Sequence, residues 1–152
     1  MKKEKMQTSA GKKALPHSSL TLLNRNHTEY PDSPDKAKIE TFDNAYPQRN
    51  YVITFDCPEY SSLCPVTNQP DYGHITVRYI ADKKCIESKA LKLYLFSCRN
   101  FNTFHEESVN RILTDLVKAC RPRWMEVTGD FMPRGGIAIH VRAEEGDSSL
   151  VK

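Results

Sequence analysis

A chain of 152 residues is long enough for one domain with a real core and no more, and with 39% hydrophobic and 27% charged residues it reads as globular. No window approaches the roughly 20 apolar residues of a membrane span. The formal charge of +3 is confined to the first 40 residues, which hold 8 Lys and Arg against 5 Asp and Glu, while residues 41–152 hold 14 of each. That balance argues against a broad basic face for nucleic acid and leaves room for a local anion site.

The amino terminus, MKKEKMQTSAGKK, is charged and no apolar run follows it, so no signal peptide and a cytosolic placement are expected. Residues 1–40 lack sustained periodicity and are rich in Lys, Ser, Thr, Asn, Asp and Pro, which predicts a mobile extension, with the domain spanning 41–152. NYVITF (50–55) and HITVRYIA (74–81) read as strands, the second alternating with period two, and together predict an antiparallel pair. SKALKLYLFSCR (88–99) takes helical spacing: Leu91, Tyr94, Leu95 and Cys98 fall on one arc, while Lys89, Lys92 and Arg99 gather on the other side. Three cations with no interleaved acid are either a solvated face or an anion site. TFHE (103–106) matches a capping box with Thr103 at the N-cap and Glu106 three residues on. Val109, Ile112, Leu113, Leu116, Val117 and Cys120 then form an apolar stripe that Pro122 ends. Two more strands, RWMEVTGDF and GIAIHVRA, are joined by a turn around MPRGG. The order ββααββ predicts an α+β domain with antiparallel sheet and both helices on one face.

Five cysteines, at 57, 64, 85, 98 and 120, are an odd number without C-x-x-C spacing, so free thiols are expected in a reducing compartment. Cys64 stands apart because it lies in a polar stretch, SSLCPVTNQPD, with Pro65 and Pro70 around it and Asp71 seven residues on. An unperturbed thiol is only about 3% thiolate at neutral pH, so a nucleophilic Cys64 needs a proton acceptor or a positive field. Asp71 could accept that proton; a buried inert thiol is the other reading. There is no G-x-G-x-x-G and no P-loop, and His74, His105 and His140 are scattered, so neither a Rossmann site, a triphosphatase nor a zinc site is indicated.

SSLCPVTNQPD, ESKALKLY (87–94), FHEESVNRI (104–112) and MPRGGIAI, in that order, closely resemble the short single-domain form of the NADPH-dependent 7-cyano-7-deazaguanine reductases, the nitrile reductases of queuosine biosynthesis, over about residues 41–143. The resemblance implies the tunnelling fold, shared with GTP cyclohydrolase I, in which subunits join their sheets into a ring and two rings stack into a decamer with sites between subunits. It implies Cys64 as the nucleophile that forms a covalent thioimide with the nitrile, and Asp71 as the acid/base. It also implies His105 and Glu106 as binders of the guanine-like edge, Ile86, Glu87 and Ser88 as the segment closing over the base, and Lys89, Lys92 and Arg134 at the phosphates of NADPH, with no metal. Asn68 stands where members commonly have Gly, and Cys98 where an aromatic is usual. The rival readings are a tunnelling-fold cyclohydrolase, which lacks its zinc ligands here, and a non-catalytic purine- or pterin-binding module.

Overall fold

The computed structural model describes residues 20–23 and 27–151. Its main sheet has four antiparallel strands in the order β2 (Val52–Leu63), β3 (Pro70–Ile80), β5 (Trp124–Arg134), β6 (Ile137–Gly146). Helices α1 (Ser88–Ser97) and α2 (His105–Cys120) stand between β3 and β5 in sequence. The predicted ββααββ order is present. It carries one addition, a two-stranded sheet of β1 (Thr41–Asp43) and β4 (Lys84–Ile86), whose three-residue strands are too short to show periodicity.

Alternation sorts β3 and β5 into two faces. Asp71, Gly73, Ile75, Val77 and Tyr79 of β3 and Met125, Val127, Gly129 and Phe131 of β5 are buried toward the helices. The α2 stripe of Val109, Ile112, Leu113, Leu116 and Cys120 and the α1 residues Leu91, Tyr94, Leu95 and Cys98 join them in a single core. Each fully buried aliphatic side chain here stabilises the fold by about 1.5–3 kcal/mol, so Leu116→Ala, at 0% exposure, would open a costly cavity. The other sheet face is polar: Glu126, 5% exposed, pairs with Arg78 at 3.2 Å and Arg142 at 2.6 Å.

Two local devices position the loops at the ends of the sheet. In β2 the pairing shifts between Cys57 and Tyr60, around Pro58, a bulge where a residue without N–H is tolerated. Before it Ile53, Phe55 and Cys57 face the core; after it Tyr60 and Ser62 do, so the inward parity moves from odd to even positions and runs on to Cys64. In the β5–β6 hairpin, Gly135 and Gly136 take φ of 58° and 81°, as a tight turn with two left-handed central residues requires, and set Arg134 at the tip of β5.

The predicted capping box is off by one residue. Helix α2 starts at His105 with Phe104 as N-cap, and Glu107, not Glu106, accepts the Phe104 N–H at 3.3 Å, while the Thr103 hydroxyl donates to the Phe104 carbonyl. Glu106 is exposed. The helix ends as expected just before Pro122, with Arg121 in the left-handed region at φ 46°.

Of the first 40 residues, expected from the sequence to be a mobile extension, 20–23 and 27–40 are described, and positions 1–19 and 24–26 lie outside the described residues. Leu20, Pro34 and Glu40 are buried, Tyr30 packs on Phe96 with centroids 4.6 Å apart, Arg99 donates to the Pro31 carbonyl at 3.0 Å, and Arg111 pairs with Asp35. These are single-residue contacts that leave no periodic signature. Among the described residues no helix is long and apolar enough to cross a membrane, and all five cysteines are free.

Candidate active site

Residues 64–69 turn β2 into β3. The turn closes on itself through the Cys64 N–H to the Gln69 carbonyl and the Asn68 N–H to the Cys64 carbonyl, both 2.9 Å. Asn68 sits at φ 58°, a left-handed conformation that asparagine tolerates better than most residues. The segment between the helices pins the turn from below: Leu63 N–H donates to the Phe101 carbonyl at 3.0 Å, Thr103 N–H to the Leu63 carbonyl at 2.9 Å, and the Asn102 amide to the Cys64 carbonyl at 3.2 Å and Asn68 Oδ1 at 2.9 Å.

Cys64 is half-buried, and its thiol is held down to about 7. The Thr67 hydroxyl is the main cause, followed by the backbone N–H groups of Thr67 and Val66; burial opposes slightly and Arg134 adds a smaller push the same way as Thr67. Asp71 is 6% exposed and opposes Ser62 across the β2–β3 pair. Its carboxylate lies 2.5 Å from the Arg134 guanidinium and 3.2 Å from His105 Nε2. The histidine contact lacks hydrogen-bond alignment, leaving that buried nitrogen without a bonded partner. Arg134 also donates to the carbonyls of Gln69 and Pro70, at 3.3 and 3.2 Å. The His105 ring lies flat on Phe131. Thus the structure brings Cys64, Asp71, His105 and Arg134 together, with Glu106 next in line on the first turn of α2.

The remaining expected residues form a second group at the start of α1. Ile86 is buried and its N–H donates to the Tyr79 hydroxyl at 3.0 Å. Glu87 is the N-cap of α1, its two carboxylate oxygens taking the N–H groups of Lys89 and Ala90 at 2.8 Å each. Ser88 and Lys92 are exposed and line a hollow of about 610 Å³ with Leu91, Leu95 and Phe96. Lys89 is half-buried and donates to the Leu22 carbonyl at 2.6 Å. Tyr79 and Asp71 are eight residues apart along β3, or about 26 Å at strand rise, so one chain holds the two groups at opposite ends of its sheet.

Sequence reasoning missed Thr67, Asn102 and Phe131. Thr67 lies three residues beyond a candidate nucleophile, and that spacing could have flagged it; Asn102 and Phe131 carry no signal distinguishing them from loop and core.

Comparison with known proteins agrees with this architecture. The crystal structure of the archaeosine synthase QueF-Like in the apo form has a TM-score of 0.60 to this chain at 24% identity, covering 63% of this chain and 94% of that one, a likeness of fold. A Bacteroides thetaiotaomicron protein named NADPH-dependent 7-cyano-7-deazaguanine reductase is 51% identical over 127 residues, 84% of this chain and 83% of its own. A Streptococcus mutans protein of the same name is 53% identical over 120 residues, 79% and 74% of the two chains. An aligned stretch of 127 residues is longer than the 112 from position 41 to the end, so similarity reaches back into the first 40. The family described as QueF-like protein matches residues 70–149. With the family match over more than half its length and relatives at about 50% identity, the chain belongs to the QueF family, in its short single-domain form.

Proposed function

We infer that the chain catalyses the NADPH-dependent reduction of 7-cyano-7-deazaguanine to 7-aminomethyl-7-deazaguanine, a step of tRNA queuosine biosynthesis. The observation that carries the reading is a Cys64 thiol held down to about 7 in the turn that leads to Asp71, with Arg134 reaching that carboxylate from the tip of β5. Such a thiol is about half thiolate at neutral pH, and a thiolate suits the soft carbon of a nitrile.

The Cys64 thiolate attacks the nitrile carbon, a C–S bond forms as one π pair moves to nitrogen, and Asp71 gives that nitrogen a proton, leaving a thioimide. NADPH supplies two hydrides to the same carbon, one from each of two molecules. After the first, nitrogen takes a second proton, which Asp71 relays from solvent, and the C–S bond breaks, returning the thiolate and freeing an iminium that the second hydride converts to the amine. Donation by Asp71 requires its acid form; the proton is the one Cys64 gives up in becoming the thiolate, and a cofactor phosphate drawing Arg134 away would let Asp71 hold it. The base edge falls to His105 and Glu106, closure over it to Ile86, Glu87 and Ser88, and the phosphates to Lys89, Lys92 and Arg134. Lys92 suits that role because it is exposed beside a hollow of about 610 Å³, within the range of small-molecule sites.

The separation of the two groups along β3 supports a site completed by a neighbouring subunit, Cys64 and Asp71 from one chain facing Ser88 and Lys92 of the next. Strands β2 and β6 are the two edges of the sheet, and edges joined between copies fit a ring, stacked in pairs as a decamer. Free thiols fit action in the cytoplasm.

Loss of reduced-nicotinamide absorbance on adding 7-cyano-7-deazaguanine, with a covalent adduct seen by mass spectrometry in wild type and missing in Cys64→Ala, is the expected result. Binding without turnover would instead favour a non-catalytic purine-binding module. Mixing Cys64→Ala with Lys89→Ala/Lys92→Ala subunits at an NADPH concentration far below the Michaelis constant of the lysine variant, where each alone is nearly inactive, should restore about a quarter of the sites if the neighbour completes them. No restoration would put the site within one chain.

A further inference from the structure

Residues 20–23 lie across the corner where β4 passes into α1. Leu20 is 2% exposed, and with Leu23 it lines a hollow of about 350 Å³ whose other walls include Ile86, Glu87 and Ser88. What holds the segment there is Glu40, itself 5% exposed. Its carboxylate accepts the N–H groups of Thr21 and Leu22, at 3.2 and 3.1 Å, the Thr21 hydroxyl, and the Lys38 ammonium at 2.8 Å. Its backbone carbonyl accepts the Glu87 N–H at 3.0 Å. One residue therefore grips both the crossing segment and the start of α1.

The far side of that grip is Lys89. Lys89 stands in the first turn of α1, which carries no acid of its own and is capped by the Glu87 carboxylate through the Lys89 and Ala90 N–H groups. The Lys89 ammonium donates to the Leu22 carbonyl at 2.6 Å, and Leu22 is the residue whose N–H Glu40 holds. An ammonium has three donors, so two remain for a ligand.

We propose that Glu40 is a positioning residue for the cofactor site: by holding residues 20–23 in place it sets the Leu22 carbonyl, which in turn fixes the Lys89 ammonium where it meets a phosphate of NADPH. The proposal rests on the assignment of Lys89 to the cofactor phosphates under the proposed reaction. A free lysine loses rotamer freedom when it binds phosphate; a lysine already tethered loses less, and binding is correspondingly tighter. Burial alone would raise the Glu40 carboxyl, but the Lys38 ammonium and the bonds from Thr21 and Leu22 outweigh it and hold it down to about 2, so the grip persists across the physiological pH range.

The test uses the full chain with Glu40→Gln and, from the other side of the contact, Thr21→Pro, which removes both the N–H and the hydroxyl. Each should raise the Michaelis constant for NADPH by about tenfold, a loss in line with one misplaced charge-assisted bond, while kcat at saturating NADPH and the affinity for 7-cyano-7-deazaguanine change by less than about twofold. Combining either with Lys89→Ala should add nothing to the effect of Lys89→Ala alone, since both act through one ammonium. An unchanged constant for NADPH, or losses that add in the double variants, would overturn the proposal. Calorimetry with NADP+ reads the same contrast without turnover, so a wild type that binds NADP+ but reduces no nitrile would sink the proposed reaction and not the role of Glu40.

Discussion

The imidazole of His105 lies on the ring of Phe131 with centroids 4.0 Å apart and planes 13° from parallel. The contact is possible because position 73, opposite Phe131 in the β3–β5 register, is glycine. A Cβ there would stand 2.8 Å from Phe131 Cδ1 and 3.3 Å from the Asp130 carbonyl. Gly73→Ala is expected to push Phe131 toward His105, cost about 1–3 kcal/mol of stability as an overpacked site, and raise the Michaelis constant for the nitrile. The measurement is a thermal melt with steady-state kinetics; a variant kinetically like wild type would show that Phe131 does not orient His105.

Alkylation of Cys64 followed against pH should inflect near about 7. Hydrogen bonds to the thiolate favour the charged form, so removing the largest of them in Thr67→Val should lift the inflection toward the ordinary thiol value of about 8.5 and slow alkylation at neutral pH by several-fold. The same shift should appear in the acid limb of the pH–rate profile, because protonation silences the nucleophile. An inflection that stays put would remove Thr67 from the activation of Cys64.

Glu106 and Glu107 are neighbours with separable duties. Glu107→Ala removes the carboxylate that accepts the Phe104 N–H and should lower stability by about 1 kcal/mol with substrate binding intact. Glu106→Gln removes no cap and should leave the melting temperature unchanged while weakening binding of the deazaguanine at least about tenfold, measured by calorimetry on a Cys64→Ala background. Equal binding in Glu106→Gln would assign recognition of the base elsewhere.

Deleting residues 1–40 should lower the melting temperature clearly, by at least about 2 kcal/mol of stability. The deletion strips away buried Leu20, Pro34 and Glu40, the Asp35 partner of Arg111 and the acceptor of the Glu87 N–H. A melt identical to full length would restore the boundary that the sequence suggests at residue 40.

The strands flanking Cys64, the α1 and α2 stripes and the final hairpin were legible because alternation and helical spacing write themselves into a dozen residues at a time. The bulge at Pro58, which turns Tyr60, Ser62 and the approach to Cys64 inward, depends on pairing with β3 and has no pattern of its own. Likewise the helix cap fell one residue late because Thr103 and Glu106 satisfy the motif in sequence, while the Thr103 N–H is already taken by the Leu63 carbonyl and holds that residue outside the helix. The proximity of Arg134 to Asp71 joins residues 63 positions apart and follows only from the order of strands in the sheet.

That strand order bears on how the molecule assembles itself. The β2–β3 and β5–β6 hairpins close short loops, but the β3–β5 seam, from Ile80 against Trp124 to Gly73 against Phe131, must close the long connection that carries both helices. Non-local pairing of this kind carries a loop-closure cost before it yields contacts and is slow relative to hairpin formation. Cys64 and Asp71 ride on the first hairpin and Arg134 and Phe131 on the second, so a half-folded chain carries a bare loop thiol without its cationic neighbour. Because Thr67 and the turn's own N–H groups hold the thiol down and Arg134 adds least, a fast-alkylating Cys64 should appear with the first hairpin, while the pairing of Asp71 with Arg134 waits for closure of the seam.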